Sequence, residues 1–301
     1  MLSKEMIHLI CGGLRARQPQ GYIARMAGCS RDTVSRVSQM GPTRILLWGD
    51  SQCGSNVGLT PPAYQTKFTP NPQTEEHRTL NKWAKLQKEC WDWYVNKVKE
   101  LKPIDKLFYL GDGIDGTGHR SGGTELIYVD RKVQVQMAIE ALGVVGAKDM
   151  VMVYGTPYHT GQSEDFELDI ARHFGCKIGG HEWEEVNGCM FDLKHKQGNC
   201  DNPTTGLWQQ IRDHREWAGL GEQPKADVLI RAHTHRFCIL KLEDCIGITI
   251  PSLQGYGTKY GSRQCSRKVQ FGLVALDVWP DGVVVEHIHI AKLAGHITHS
   301  N

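Results

Sequence analysis

The chain has 301 residues, of which 40% are hydrophobic and 23% are charged, and its formal net charge is +2. A chain of this length can bury a substantial core, so we expect one large soluble domain, with or without a small appendage. A balance this close to neutral does not by itself demand an acidic partner.

Cysteine use and the first residues bear on the compartment. None of the ten cysteines has Cys-x-x-Cys spacing, and Cys90, Cys189 and Cys238 lie inside apolar stretches, which predicts small buried hydrophobic residues. The apolar run Ile7–Cys11 is too short for a signal-peptide core or a membrane span. We therefore expect a protein of the reducing cytoplasm that has no membrane partner.

The N-terminal segment is basic, because residues 1–44 contain seven Lys and Arg against two Asp and Glu. Within it, residues 20–37 resemble a helix-turn-helix. Ala24 would let two helices approach, Gly28 would supply the turn, and Ser30 can cap the second helix. The outward side chains of that second helix, which are the candidate DNA contacts, are Arg31, Ser35 and Arg36.

The same segment has two other interpretations. It could be a basic helical hairpin that packs on the main domain, or an arm that binds a partner or a second copy of the chain. Binding to a second copy would make the protein an oligomer. Gly41-Pro42 marks a boundary, so we predict a helical extension over residues 1–41 and a main domain over residues 42–301.

Helical and strand patterns alternate after this boundary, which is typical of α/β proteins. An apolar stripe from Leu80 to Leu101 predicts a helix that stops before Pro103. The next predicted elements are a helix over 125–143, a strand over 150–154 and a helix over 163–174, which Ser163 would cap.

The pattern changes to short strands after Gly175, interrupted by a helical segment over 204–218. We predict strands over 237–242, 246–250, 271–278 and 283–290 and expect them to form a second, largely antiparallel sheet. The predicted fold class is therefore α/β, with two packed sheets, outer helices and a small helical N-terminal extension.

Side chains that can bind metal lie at or just past the ends of apolar runs. The segments 44–50, 107–112 and 227–233 have the pattern of buried parallel strands, and open α/β sheets bind ligands at such ends. The donors at these and similar positions are Asp50, Asp112, His195, His233 and His235.

Spacing favours a metal centre over isolated polar residues. The turn Gly111–Asp115 carries two carboxylates, and a carboxylate can bridge two divalent ions. His233 and His235 lie on one side of a strand end and can converge. Two histidines that merely bond to the backbone are the alternative, which leaves the matching aspartates unexplained. The bridging carboxylates predict two divalent ions, and mixed nitrogen and oxygen donors favour Mn, Zn, Fe or Ni over a site for Mg alone.

The order of these blocks resembles that of the calcineurin-like metallophosphoesterases, over residues 43–291. That family carries Asp-x-His, Gly-Asp-x-x-Asp, Gly-Asn-His, a solitary His and Gly-His-x-His. The matching segments here are 49–52, 111–115, 155–159, His195 and 232–235. Segments 54–62 and 155–159 look closest to a subgroup often encoded by bacteriophages. The resemblance implies a calcineurin-like β-sandwich flanked by helices.

The resemblance also implies two ligand sets. Asp50, Asp112 and His235 would hold one metal, and Asp112 would reach a second metal beside His195 and His233. Gln52 stands where the family has its first histidine, so an amide oxygen or a water would fill that place.

The third block departs from the family pattern in two ways. Thr156 stands where an asparagine coordinates the second metal, which makes Thr156 a candidate metal ligand, and His159 lies two positions later than the usual histidine. His159 is nevertheless the candidate catalytic residue that stabilises the transition state or protonates the leaving oxygen, with Asp115 orienting it.

The function implied is hydrolysis of a phosphate ester, in which a hydroxide that bridges the metals attacks phosphorus in line. The basic N-terminal segment favours a phosphodiester of nucleic acid or nucleotide, as in a phosphodiesterase or nuclease. The alternative is a DNA-binding or assembly protein that keeps a catalytically weakened phosphoesterase fold, because Gln52 and Thr156 replace metal ligands.

Overall fold

The structure is a computed structural model that describes residues 2–161, 165–198, 202–256 and 269–294. The helices are α1 Lys4–Arg15, α2 Gln20–Met26, α3 Arg31–Met40, α4 Glu75–Leu101, α5 Arg131–Val145, α6 Pro157–Thr160, α7 Phe166–Phe174 and α8 Pro203–Gly219. The strands are β1 Thr43–Trp48, β2 Lys106–Tyr109, β3 Asp149–Val153, β4 Lys177–Gly179, β5 Glu182–Val186, β6 Cys189–Leu193, β7 Val228–Arg231, β8 Cys238–Lys241, β9 Ile246–Thr249, β10 Gly272–Val278 and β11 Val284–Ile290. None of the described helices combines the length and the apolarity that crossing a membrane requires.

The strands form two sheets. The first has the order β11-β10-β1-β2-β3-β4, in which β1 to β4 are parallel and β10 and β11 are antiparallel additions. The second has the order β5-β6-β7-β9-β8, with parallel pairs on both sides of β7 and antiparallel pairs at its two edges.

The prediction that residues 271–290 belong to the second sheet is wrong. β10 pairs with β1, so that Thr43 faces Val278 and Leu47 faces Val274. The expected largely antiparallel order of the second sheet is also wrong, because β7 is parallel to β6 and to β9. An alternating apolar pattern shows which face of a strand is buried, but it does not identify the partner strand.

The two sheets pack face to face, and helices cover their outer sides. Along β1, Ile45 and Leu47 enter the core between the sheets, whereas Leu46 and Trp48 pack toward the helices, as the period of two in a strand requires. Helices α4, α5 and α7 cover the first sheet, and Ile211 of α8 packs on the second. The expected α/β architecture of two sheets with outer helices is confirmed.

Two predicted helices begin later than expected. The helix predicted over 125–143 begins at Arg131, after the Asp130 side chain accepts a hydrogen bond from the Lys132 backbone at 2.8 Å. The preceding residues form a loop instead, in which the Ile127 backbone bonds to Gly54. The helix predicted over 163–174 begins at Phe166 with Asp165 as its cap, and Ser163 lies outside the described residues.

The first three helices share a hydrophobic cluster of their own. Ile10 of α1, Ile23 of α2 and Val34 of α3 are fully or almost fully buried in it. Ser30 caps α3 by accepting from the Thr33 backbone at 3.1 Å, as predicted, and Gly28 makes the preceding turn with a φ of 63°. The left-handed backbone there favours glycine.

One carboxylate joins these helices to the main sheets. Asp281 lies in the turn between β10 and β11, and its buried carboxylate accepts from both terminal guanidinium nitrogens of Arg15, at 2.8 and 2.9 Å. His8 lies 3.0 Å from the same carboxylate, and the Arg15 guanidinium stacks over Trp279. Bidentate pairs of this kind fix orientation as well as contact.

Candidate metal centre

The turns that follow β1 and β2 bring the first two carboxylates to one edge of the first sheet. The Asp50 backbone donates to the Gly111 carbonyl at 2.9 Å, and the Gln52 backbone donates to the Asp112 carbonyl at 3.1 Å. The ladder between the parallel strands therefore continues into the turns. This places Asp50 and Asp112, both buried, side by side.

The predicted donors have an uncommon backbone conformation. Eight described residues other than glycine have positive φ, and five of them are predicted metal ligands. Such backbone costs roughly 1–2 kcal/mol per residue and persists only where the surroundings enforce it, which is typical of functional sites. The five are Asp50, Gln52, Asp112, His233 and His235, with φ between 42° and 70°.

Three of the donors converge on one point. Single ligand atoms of Asp112, His195 and His233 all lie within 4.8 Å of one another. Nε2 of His195 is 3.0 Å from the Asp112 carboxylate and 3.3 Å from Nδ1 of His233. Nδ1 of His195 lies 2.5 Å from the Leu110 carbonyl, so it carries the hydrogen and leaves Nε2 for the cluster.

The charges in this cluster are strongly coupled. Burial opposes ionisation of Asp112, but the His195 imidazolium outweighs it and holds the pKa of Asp112 below its ordinary value. Burial also opposes the charge on His195, yet Asp112 raises the pKa of His195 to about 10. Burial and the neighbouring His195 charge lower the pKa of His233 to about 4. One imidazole is therefore cationic and the other neutral near pH 7.

A second group of donors surrounds Asp50. Its Oδ2 accepts from the His233 backbone at 2.9 Å, whereas its Oδ1 is buried without a hydrogen-bond partner. Nε2 of His235 lies 3.4 Å from that Oδ1. The amide nitrogen of Gln52 lies 3.4 Å from the same His235 nitrogen. A buried carboxylate oxygen without a partner is costly, and a cation would satisfy it. The donors present thus fit a divalent metal.

Thr156 is held against Asp112. Its backbone donates to Oδ1 of Asp112 at 2.6 Å, and its hydroxyl lies 3.2 Å from both carboxylate oxygens. These bonds fix the carboxylate and engage the hydroxyl, so the geometry gives Thr156 a supporting place beside a ligand. Coordination by Thr156 stays a prediction.

Two glycines make the approach of these turns possible. A Cβ on Gly155 would lie 2.0 Å from Oδ1 of Asp112. Gly111 has a φ of 85°, and a Cβ on it would lie 2.5 Å from the Gly155 Cα and 2.9 Å from Nδ1 of His195. Neither position accepts a side chain without displacing a predicted ligand.

His159, on the short helix α6, lies beside Gln52. Its Nδ1 donates to the Asp115 carbonyl at 2.9 Å, while the Asp115 carboxylate is 3.7 Å away. The main chain of Asp115 therefore orients the ring more closely than its side chain does. Nε2 of His159 lies 3.3 Å from the Gln52 amide. Burial raises the pKa of Asp115 to about 6.

A buried glutamate, Glu167, lies beneath the centre, and the sequence alone does not identify it as part of the site. Glu167 accepts hydrogen bonds from the Gly113 backbone at 2.9 Å, the Gly155 backbone at 2.7 Å and the Tyr109 hydroxyl. Burial raises the pKa of Glu167 to about 7. In the sequence it is an ordinary acidic residue in the first turn of a helix, so no local signal reveals this contact.

The predicted DNA contacts lie on α3. Arg31 and Arg36 are exposed and Ser35 is half-buried. The Arg36 guanidinium bonds to the Thr33 hydroxyl at 3.4 Å. Their placement leaves both arginines accessible to an external partner.

No protein-family model and no curated protein matches the sequence. The chain is similar to several solved structures. Vps29 from Entamoeba histolytica, complexed with zinc, is 12% identical with a TM-score of 0.40, and the match covers 82% of this chain and 99% of that one. An archaeal phosphodiesterase is 12% identical with a TM-score of 0.39, over 82% of this chain and 99% of that one. Vps29 from Chaetomium thermophilum is 12% identical with a TM-score of 0.40, over 83% and 96%.

Proposed function

We propose that this protein is a metal-dependent phosphoesterase that hydrolyses a phosphodiester of nucleic acid or nucleotide. The observation that carries the proposal is the convergence of Asp112, His195 and His233 beside the buried Asp50, whose Oδ1 has no hydrogen bond and lies near Nε2 of His235. Side chains of such mixed oxygen and nitrogen chemistry are the ligands of Mn, Zn, Fe or Ni.

The proposed ligand sets share one carboxylate. Asp50, Gln52 and His235 would hold one ion with Asp112, and Asp112 would hold a second ion with His195 and His233. Two bound divalent ions would supply Lewis acidity toward the phosphoryl oxygens and lower the pKa of an attacking water.

His159 is the residue that we propose to protonate the leaving group. Because its Nδ1 donates to the Asp115 carbonyl, the ring orientation is fixed and Nε2 is the atom that faces Gln52. Protonated Nε2 gives its proton to the departing ester oxygen, a step worth about 10²–10⁴-fold in rate.

Hydrolysis of bis-p-nitrophenyl phosphate tests this function. We expect protein stripped with chelator to be inactive and to recover turnover with Mn²⁺, and Asp112→Asn to lose both Mn²⁺ binding and turnover. Asp281→Asn is the control, because it alters another buried carboxylate without touching the proposed ligands. Absence of turnover with every transition metal, from folded protein, would contradict the proposal.

A second function is suggested by the N-terminal helices. We propose that α2 and α3 form a helix-turn-helix that binds duplex DNA through Arg31, Ser35 and Arg36. The accessible arginines and the capped start of α3 support it. If the centre binds little or no metal, the protein would be a DNA-binding or assembly protein that keeps a phosphoesterase-like fold.

Metal content and DNA binding separate the two readings. Near-stoichiometric metal that is lost in Asp112→Asn supports the enzyme. Metal-free protein that binds a fluorescent duplex, with affinity falling steeply as salt rises, supports the binding protein. A full chain that shows no salt-dependent duplex binding would contradict the DNA proposal.

A further inference from the structure

Glu167 connects three separate parts of the chain. It lies in the first turn of α7, and its side chain is fully buried. Its Oε1 accepts from the Tyr109 hydroxyl and from the Gly113 backbone, and its Oε2 accepts from the Gly155 backbone. The donors belong to β2, to the turn after β2 and to the turn after β3.

Both turns carry residues of the metal centre. Gly113 directly follows Asp112, and Gly155 directly precedes Thr156, whose backbone and hydroxyl bond to the Asp112 carboxylate. Glu167 therefore holds the two peptide segments that meet at Asp112. Gly155 has no Cβ, so these segments lie closer together than they could with any other residue at position 155.

A carboxylate of this length meets all three donors. Its two oxygens accept and do not donate when ionised, so each backbone N–H finds an acceptor. A glutamine would place an amide NH₂ against the N–H of either Gly113 or Gly155. An aspartate would keep the acceptors but shorten the reach by one methylene.

We propose that Glu167 is a positioning residue of the metal centre, which sets the spacing of the turns around Asp112 and thereby the affinity for the divalent ion. The inference rests on the proposed function, since it requires that Asp112, His195 and His233 bind metal. The hydrogen bonds of Glu167 described above go to Tyr109, Gly113 and Gly155, and none of them goes to a proposed metal ligand. Groups that orient metal ligands from outside the coordination shell are worth about 10–100-fold in affinity.

Mn²⁺ binding, measured by calorimetry and by the electron paramagnetic resonance of the bound ion, tests the inference. We expect Glu167→Gln and Glu167→Asp each to weaken Mn²⁺ binding by about 10–100-fold and to alter the spectrum of the bound ion. Tyr94→Phe is the control, because it removes the hydrogen bond of another buried side chain, from the Tyr94 hydroxyl to the Ala141 carbonyl, and leaves every contact of Glu167 in place. It should keep Mn²⁺ affinity close to that of the unaltered protein.

The comparison of the two variants separates position from charge. Weak binding in Glu167→Gln with ordinary binding in Glu167→Asp would mean that the negative charge acts alone, and would overturn the positioning role. Ordinary binding in both would also overturn it. If one variant fails to fold in chelator, as judged by circular dichroism, the resonance spectrum of the ion bound to the other decides the outcome: an altered spectrum supports the positioning role, and an unaltered one overturns it.

The proposed function is tested separately within this experiment. If the unaltered protein binds no Mn²⁺, the metal centre itself is refuted and the positioning role falls with it. If the unaltered protein binds Mn²⁺ and both variants match it, only the role of Glu167 is refuted.

Discussion

Nε2 of His195 lies 3.3 Å from Nδ1 of His233, and the two rings meet at 69°. Two imidazoles this close share a single positive charge, which the pKa values place on His195, at about 10, and not on His233, at about 4. The charge is held by the Asp112 carboxylate.

Metal binding should therefore release a proton from His195. Below its pKa the metal-free protein carries this proton, whereas a ligating imidazole must be neutral, so affinity rises with pH. We expect Mn²⁺ affinity to increase about tenfold per pH unit between roughly pH 7 and 9. Calorimetry in buffers of different ionisation enthalpy counts the proton. A flat affinity over this range would show that His195 does not titrate on binding.

Replacement of His159 should impair the chemical step and spare metal binding. With an alkyl ester, whose leaving oxygen needs a proton, His159→Ala should lower kcat by about 10²–10⁴-fold. With a p-nitrophenyl ester the loss should be much smaller, because that leaving group departs unprotonated. Equal losses on both esters, at unchanged Mn²⁺ affinity, would exclude His159 as the proton donor.

Gly155→Ala should damage both the fold and the centre. Its Cβ would meet Oδ1 of Asp112 at 2.0 Å, so the turn must move, at a cost of about 1–3 kcal/mol in the free energy of unfolding. Gly180→Ala is a control, because nothing lies within 4 Å of a Cβ there. Urea denaturation and Mn²⁺ titration of both variants measure the two effects, and equal behaviour of the variants would contradict the geometry.

Gln52→His should tighten metal binding beside Asp50. An imidazole is a better donor to transition metals than a neutral amide, and position 52 already has a φ of 42° that places its side chain near His235. Mn²⁺ titration should show a lower Kd, and the gain should vanish when His235 is also changed to Ala. Weaker binding than in the unaltered protein would show that the site has no room for the ring.

Removal of the α3 arginines should reduce DNA binding without affecting hydrolysis of a small ester. If Arg31 and Arg36 each contact a phosphate, changing both to Ala should lower the slope of log affinity against log salt by roughly two. Fluorescence anisotropy with a labelled duplex at several salt concentrations measures this slope. An unchanged slope would place the DNA contacts elsewhere.

The strand ends could be predicted because their signal is local. Asp50 and Asp112 follow continuous apolar runs, and His233 and His235 follow another, so each turn shows its donors in the sequence. The architecture of two sheets with outer helices followed from the same runs.

The pairing of β10 with β1 could not be predicted in this way. It depends on contacts between residues more than two hundred positions apart, such as Thr43 and Val278. Glu167 illustrates the same limit at the centre, because its three donors come from two distant turns and a strand. Thr156 was recognised as a departure from a family pattern, but its bonds to Asp112 depend on that folded geometry.

The register of β1 and β10 also separates the metal centre from the carboxylate that anchors the N-terminal helices. Asp281, which anchors the N-terminal helices, comes shortly after Val278, and Val278 pairs with Thr43 at the start of β1. Asp50 comes just after the other end of β1. Six residues of strand span about 20 Å. At about 3.4 Å per nucleotide along one strand, some six nucleotides are needed to cover that distance. A mononucleotide bound at the metals would therefore leave the Asp281 anchor untouched, whereas a duplex lying along β1 would need about six base pairs to reach from one to the other.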